Sequence, residues 1–196
     1  EVMQLETDVL RYMFQQVAKN CEKELQLLQI EVPVITEIPK ITLLQAQEIL
    51  KSKYQKESPI GDLDTEGEKL LGKYVKETYK SELVFITHYP KEARPMYTMP
   101  NKENSSITDS FDLLYKGLEI TSGAQRIHNY DLLLASFKEK GLHPDTFQSY
   151  LNTFRYGCPP HGGFGIGLER VVYKLLELTN VREASAFPRD CTRLIP

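Results

Sequence analysis

Apolar residues recur at three- and four-residue spacing from the first positions of the chain. Val2, Leu5, Val9, Met13 and Val17 mark one stripe of a helix, and Leu25 and Leu28 extend it, so the pattern predicts a single helix to about Leu28. Pro33 and Pro39 then force extended backbone. Thr42 and Gln45 have the spacing of a capping box, opening a short helix through Leu44, Ile49 and Leu50. After a polar loop with Pro59 and Gly61, Thr65 and Glu68 fit a second box, and Leu70, Leu71, Tyr74 and Val75 carry that helix to about Lys80.

From Leu83 to Gln125 the pattern changes to short β-branched and aromatic runs broken by Pro90, Pro95, Pro100 and Gly117, which predicts antiparallel strands. Helical spacing resumes over Tyr130 to Lys140, closed by Gly141, and over Pro144 to Arg155, closed by Gly157. A glycine-rich strand and a last helix, about Leu168 to Leu178, follow, with Val171, Val172 and Leu175 as core positions. Strands bracketed by helices without regular βαβ alternation predict an α+β domain, an antiparallel β-sheet flanked by helices. Its helical segments fall at about 1–80 and its sheet at about 83–196.

Composition narrows this picture. With 196 residues, 41% of them hydrophobic, the chain can bury one sizeable core and is expected to form one domain. No apolar run approaches the roughly 20 residues of a bilayer span, and Glu1, Glu6 and Asp8 stand where a secretory leader would be basic and then apolar. A soluble, cytoplasmic protein is the expectation. Cys21, Cys158 and Cys191 are odd in number and far apart, with no C-x-x-C, so neither a disulfide framework nor a zinc site is indicated. A formal charge of -3 argues against holding nucleic acid by bulk electrostatics, so any such contact must be local. The helical pattern begins at a Glu with no leader, and the chain therefore reads as part of a longer protein.

Two stretches carry chemistry. In Gly157-Cys-Pro-Pro-His161-Gly-Gly-Phe-Gly-Ile-Gly-Leu-Glu-Arg170, Gly163, Gly165 and Gly167 stand two apart, so one face of a strand lacks side chains and a flat ring could lie against it. Arg170 follows at the start of a helix, where a fixed cation and free N–H groups can receive phosphate. Leu168 breaks both the G-x-G-x-x-G and the P-loop patterns. A glycine-kinked strand packed close to a neighbour would account for the same spacing.

The second stretch runs from Ser110 to Arg126. If Tyr115 and Lys116 form a two-residue hairpin loop, Asp112 sits opposite Glu119, and two facing carboxylates invite a cation between them. Two solvated surface carboxylates are the alternative, and a three-residue loop would put them on opposite faces. Strict alternation also separates Glu119 from Arg126, unless a bulge intervenes, with Gly123 the natural place. Arg126 alone could be a surface ion-pairing residue, and His161 a loop histidine satisfied by backbone. His88, His128 and His143 show no ligand spacing.

Gly-x-Gly-x-Gly-x-Glu-Arg leading into an apolar helix resembles motif 3 of the class II aminoacyl-tRNA synthetases. Pro-Pro-His161-Gly-Gly-Phe-Gly, Arg182-Glu183-Ala and Phe187-Pro188-Arg189-Asp190 resemble the aspartyl members of archaeal and eukaryotic type. So do Gly61-Asp-Leu-Asp-Thr-Glu-Gly-Glu68, Glu92-Ala-Arg-Pro95 and Tyr97-Thr-Met-Pro100. The likeness spans the chain and is weakest over residues 1–55.

It implies a partial class II synthetase catalytic core that activates L-aspartate with ATP and passes the aspartyl group to tRNA(Asp), in a homodimeric parent. It further implies catalytic roles for Arg170 and Glu119, and ATP binding by Glu119, Gly167, Leu168, Glu169 and Arg170. Aspartate binding falls to Ser122, Arg126 and His161, and a magnesium site to Asp112, Glu119 and Ser122. Motifs 1 and 2, the loop that closes over aspartate and the anticodon-binding OB-fold have no match in the chain, so the chain alone is expected to be inactive. Competing readings are a paralogue that amidates aspartyl-adenylate to asparagine, and a synthetase-derived regulator without activity. Retention of Asp112, Glu119, Arg126 and Arg170 together speaks against the regulator.

Overall fold

The computed structural model describes residues 1–195. The helical first half holds α1 (Val2–Asn20), α2 (Glu22–Leu28), α3 (Leu43–Tyr54) and α4 (Thr65–Tyr79), with a three-residue strand β1 (Lys40–Thr42) before α3. The expected single first helix is two: the backbone breaks at Cys21, and α2 buries none of its residues, with Leu27 and Leu28 left exposed. The stripe that packs inward is also rotated from the expected one. It centres on Leu10 and Phe14 and sweeps in Glu6 and Thr7, while Leu5 is 60% exposed.

Thr42 and Gln45 form the expected reciprocal box, the Thr42 hydroxyl accepting from the Gln45 N–H and the Gln45 side chain accepting from the Thr42 N–H. The second box is not formed. Asp64 caps α4 instead, its carboxylate accepting from the Gly67 N–H at 2.8 Å while Lys56 holds the other oxygen at 2.6 Å. A charged cap one residue earlier satisfies the helix end and complements its dipole, which leaves Glu68 free.

The strands β2 (Leu83–Thr87), β3 (Ser110–Tyr115), β4 (Leu118–Arg126) and β5 (His161–Ile166) pair antiparallel in that order, and β1 adds to β2 in parallel. The sheet is therefore mixed at one edge. Residues 88–109, expected to be strands, form a loop with a 3-10 turn at Lys91–Ala93, tied down by isolated bridges such as Thr98 to Arg126. The helices α5 (Tyr130–Glu139), α6 (Gln148–Arg155) and α7 (Leu168–Leu175) follow, α6 preceded by a 3-10 turn at Pro144–Phe147, α7 ending three residues earlier than its apolar spacing predicts and followed by a 3-10 turn at Val181–Ala184.

Three apolar clusters decide what stays open. Leu10 and Phe14 of α1, with Val171 and Leu175 of α7, cover one sheet face at Phe85, Phe111, Leu113, Tyr115 and Ile120. On the other face, α3 and α4 cover Val84, Ile86 and Leu114 through Leu50, Leu71 and Val75. Beyond the sheet's far end, α5 and α6 form a third cluster with Met99 and Ile127 through Leu133, Phe137 and Leu151. Between the second and third clusters the face of β4 and β5 is left partly open, with Ser122, Arg126 and Gly165 exposed, while β3 is buried throughout.

Candidate functional site

The open face takes its residues from a hairpin and a bulge. Tyr115 pairs with Leu118, so the two-residue loop is Lys116-Gly117 and not the expected Tyr115-Lys116. Both loop residues have positive φ, 46° and 67°, the geometry of a turn that matches the strands' twist and for which glycine is suited. With that turn Leu114 faces Glu119, and the register then slips so that Asp112 faces Ser122. Asp112 and Glu119 are therefore not directly opposed, as expected from the sequence, but lie two residues apart along one face. The slip leaves Ile120 as the extra residue, so the bulge falls there and not at Gly123. Ile120 turns into the core, and Glu119 shares a face with Ser122, Ala124 and Arg126.

Gly123 does different work. A Cβ there would lie 2.3 Å from the Phe111 ring, so the glycine makes room for a core side chain on the opposite face.

Strand β5 continues the same face, Gly165 pairing with Ser122, Gly163 with Ala124 and His161 with Arg126. A side chain at Gly165 would meet nothing within 4 Å, and one at Gly163 only the Arg126 guanidinium at 3.6 Å, so the strand presents bare backbone. Gly167 donates to the Ile120 carbonyl at 2.8 Å and opens α7. Leu168 stands 60% exposed at the helix start. Arg170 reaches back to β4, donating to the Glu119 carbonyl at 2.6 Å and standing 3.8 Å from the Glu119 carboxylate. Glu169 is exposed on the same first turn.

The charges balance unevenly. Asp112 is 5% exposed and pairs with Arg94 at 2.6 Å, whose guanidinium lies over the Tyr89 ring at 3.6 Å from its centroid. Its second oxygen, Oδ1, is buried without a partner. Burial raises the Glu119 carboxyl above the ordinary range, and Asp112 adds to this while Arg170 and Arg94 oppose it. Glu68 is raised too, by burial first. Its carboxylate accepts from the Glu119 backbone N–H at 3.3 Å.

Arg126 has no carboxylate partner among the described residues; its guanidinium stands 5.6 Å from the Tyr97 ring centroid and lines a cavity of about 100 Å³ with Arg94, Ser122 and Gly163. A buried acid needs a cation and a free cation invites an anion. Here the buried acid has Arg94, and the free cation is Arg126. The His161 Nδ1 lies 3.0 Å from the Pro159 carbonyl, which can only accept, so this nitrogen carries the proton; Cys158 Sγ is 3.6 Å away.

The sequence profile of tRNA synthetases class II (D, K and N) matches residues 1–191. The chain belongs to that family. An aspartate-tRNA(Asp) ligase of Pyrococcus abyssi (strain GE5 / Orsay) is 48% identical over the whole chain, which spans 45% of that protein. Among solved structures, an aspartyl tRNA synthetase from Entamoeba histolytica has a TM-score of 0.93 at 33% identity, covering 99% of this chain and 41% of its own. The asparaginyl-tRNA synthetase of Pyrococcus horikoshii, complexed with asparaginyl-adenylate, has a TM-score of 0.89 at 30% identity over 99% of this chain and 45% of its own. The chain thus spans about half the length of the curated relatives it matches.

Within this class II synthetase domain the residues singled out by sequence gather on one surface: Asp112, Glu119, Ser122 and Arg126 from β3 and β4, His161 and the glycines from β5, and Arg170 from α7. Two neighbours escaped notice. Arg94 sits in a stretch that carried resemblance but no assigned role, and the burial of Asp112 was the signal that a cation must be near. Glu68 was taken as a helix cap. Among the described residues no group of three or more His, Cys, Asp or Glu side chains is placed to hold a metal ion. Among the described residues no helix is long and apolar enough to cross a membrane.

Proposed function

We propose that this chain is the amino-acid- and nucleotide-binding portion of an aspartate-tRNA ligase, which joins L-aspartate to ATP as aspartyl-adenylate and transfers the aspartyl group to tRNA(Asp). The observation that carries this reading is the unpaired Arg126 guanidinium, on the same face as the bare backbone of Gly163 and Gly165 in β5. A guanidinium fork takes a carboxylate through two charge-assisted hydrogen bonds, which the amide of asparagine cannot return. In this reading Arg126 receives the substrate's side-chain carboxylate, with Ser122 beside it in the cavity and His161 paired with Arg126 across the strands. Adenine lies along Gly163, Gly165 and Gly167, and Arg170, with Leu168 and Glu169 at the helix start, meets ring and phosphate. Both steps need positioning and charge stabilisation more than covalent help from protein.

Magnesium is the cofactor of this reading. The fit rests on Asp112 Oδ1, buried without a partner, and on Glu119 and Ser122 along the same face. These are hard oxygen donors, and magnesium keeps most of its positions for water and phosphate, so two carboxylates suffice. When bound, the ion would neutralise charge on the phosphates. Glu119, Asp112 and Ser122 would hold it, while the ion pair with Arg94 keeps Asp112 in place. The parent protein is proposed to be a cytoplasmic homodimer whose remaining half supplies motifs 1 and 2 and the anticodon-binding barrel.

Pyrophosphate exchange by the intact protein tests the reading. L-Aspartate should support it and L-asparagine should not. Arg126→Gln, losing a charged hydrogen-bond pair of about 2–3 kcal/mol, should cut the response to aspartate by roughly 30- to 150-fold. Exchange driven equally by asparagine, or an Arg126→Gln protein with unchanged aspartate dependence, would overturn it.

A further inference from the structure

Glu68 belongs to no substrate or metal assignment above, yet it touches the backbone of a residue that does. Helix α4 reaches the β3–β4 hairpin through two glycines. A Cβ on Gly72 would lie 2.6 Å from the Gly117 nitrogen, and one on Gly117 would lie 2.8 Å from the Lys69 Cα. Helix and turn therefore meet backbone to backbone, closer than any side chain would allow. Because Asp64 caps the helix, the Glu68 carboxylate is free to project onto the hairpin. There it accepts the Glu119 N–H at 3.3 Å.

Glu119 is the residue immediately before the bulge at Ile120. A bulge disrupts the ladder locally and re-aims the side chain beside it, so the peptide groups around it need other partners. At Glu119 both backbone groups have one: the N–H is held by Glu68 from α4, and the carbonyl by Arg170 Nη1 at 2.6 Å from α7.

We propose that Glu68 is a positioning residue for Glu119. With Arg170 it clamps the Glu119 backbone across the bulge, so that the carboxylate stays on the open face where a divalent cation would meet nucleotide phosphate. The Gly72–Gly117 contact is the part of the device that brings the helix near enough. The role rests on the adenylate-forming reading for its effect on catalysis, but not for the clamp itself.

The test uses the intact protein with Glu68→Ala, Glu68→Gln and Gly72→Ala. Glu68→Ala removes one charge-assisted hydrogen bond, so the magnesium concentration for half-maximal pyrophosphate exchange should rise roughly tenfold. The KM for aspartate should stay within about twofold, because Arg126 and its cavity are untouched. Glu68→Gln keeps an acceptor oxygen and should recover most of the loss, whereas Gly72→Ala should copy the alanine variant. Deuterium exchange of the Glu119 amide reads the clamp without any substrate, and it should quicken roughly tenfold in Glu68→Ala and little in Glu68→Gln.

An unchanged Glu119 amide in Glu68→Ala overturns the clamp. A faster amide with an unchanged magnesium dependence in an active enzyme overturns its role in positioning. If the wild-type protein shows no aspartate-dependent exchange at all, the amide measurement still decides the clamp, and it is the adenylate reading that fails.

Discussion

Glu6 shows how far a single side chain can depart from its surroundings. It lies on α1 at 0% exposure with neither carboxylate oxygen in hydrogen-bonding geometry. Burial pushes its carboxyl from 4.5 to about 7, and the nearby Thr121 hydroxyl offsets only part of this. A carboxyl raised in the folded state binds its proton more tightly there than in the unfolded chain. The penalty is therefore absent below about pH 4.5, grows between pH 4.5 and about 7, and is constant above. At about 1.4 kcal/mol per pKa unit the full penalty is roughly 3 kcal/mol. Glu6→Gln should accordingly melt higher than wild type at pH 8, and the gain should vanish by pH 4. A gain of the same size at both pH values would mean that Glu6 titrates normally. The apolar spacing of α1 gave no warning of this residue, since the expected stripe ran through Leu5 and a helix can present either of two neighbouring apolar faces to a sheet.

Elements are set by contacts that span strands, and these were legible only where the signal is local. The glycine spacing of β5, the Thr42 box and the antiparallel hairpin could all be read from short windows. The bulge could not, because Ile120 carries no mark of one; it follows from a turn at Lys116-Gly117 combined with the pairing of Asp112 and Ser122. Gly123 was the plausible position by composition, but its missing side chain is taken up by Phe111, which packs edge-on against Phe85 at 5.5 Å. Gly123→Ala should therefore overpack the core and cost about 1–3 kcal/mol, seen as a lower melting temperature. Combining it with Phe111→Leu should recover part of the loss. Equal melting of Gly123→Ala and wild type would show that the Phe111 ring gives way freely.

For the whole molecule, the fold class was accessible before any coordinates, whereas the sharing of one face by Glu119 and Arg126 depended on a bulge that the sequence does not mark at Ile120. The pair Arg94 and Asp112 was not accessible either, because they stand 18 positions apart across a loop and only the fold brings them together. The parallel edge strand β1 was missed for a similar reason: three residues between proline and helix are too few to show a pattern. More than half the length of its curated relatives lies outside this chain, and Ser122, Arg126 and Gly165 on the open face are exposed. On the aspartate-tRNA ligase reading proposed above, the isolated chain is expected to form no aspartyl-adenylate in a pyrophosphate exchange assay run at the same molar concentration as an active protein of its relatives' full length. Full activity in the isolated chain would show that the face needs nothing further.

The position of β5 at the end of the sheet order has a mechanical side. Gly167 donates inward to Ile120, so by antiparallel alternation the amides of His161, Gly163 and Gly165 also point to β4, while those of Gly162, Phe164 and Ile166 point away from the ladder. Within this chain β5 is thus tethered along one flank, and its glycine face is the one proposed above to take the nucleotide. Amide deuteration should run in an every-other-residue rhythm along it, fast at the three outward positions and slow between. A molecule settling on the glycine face would stiffen the ribbon and damp that rhythm, which makes β5 a built-in reporter of occupancy.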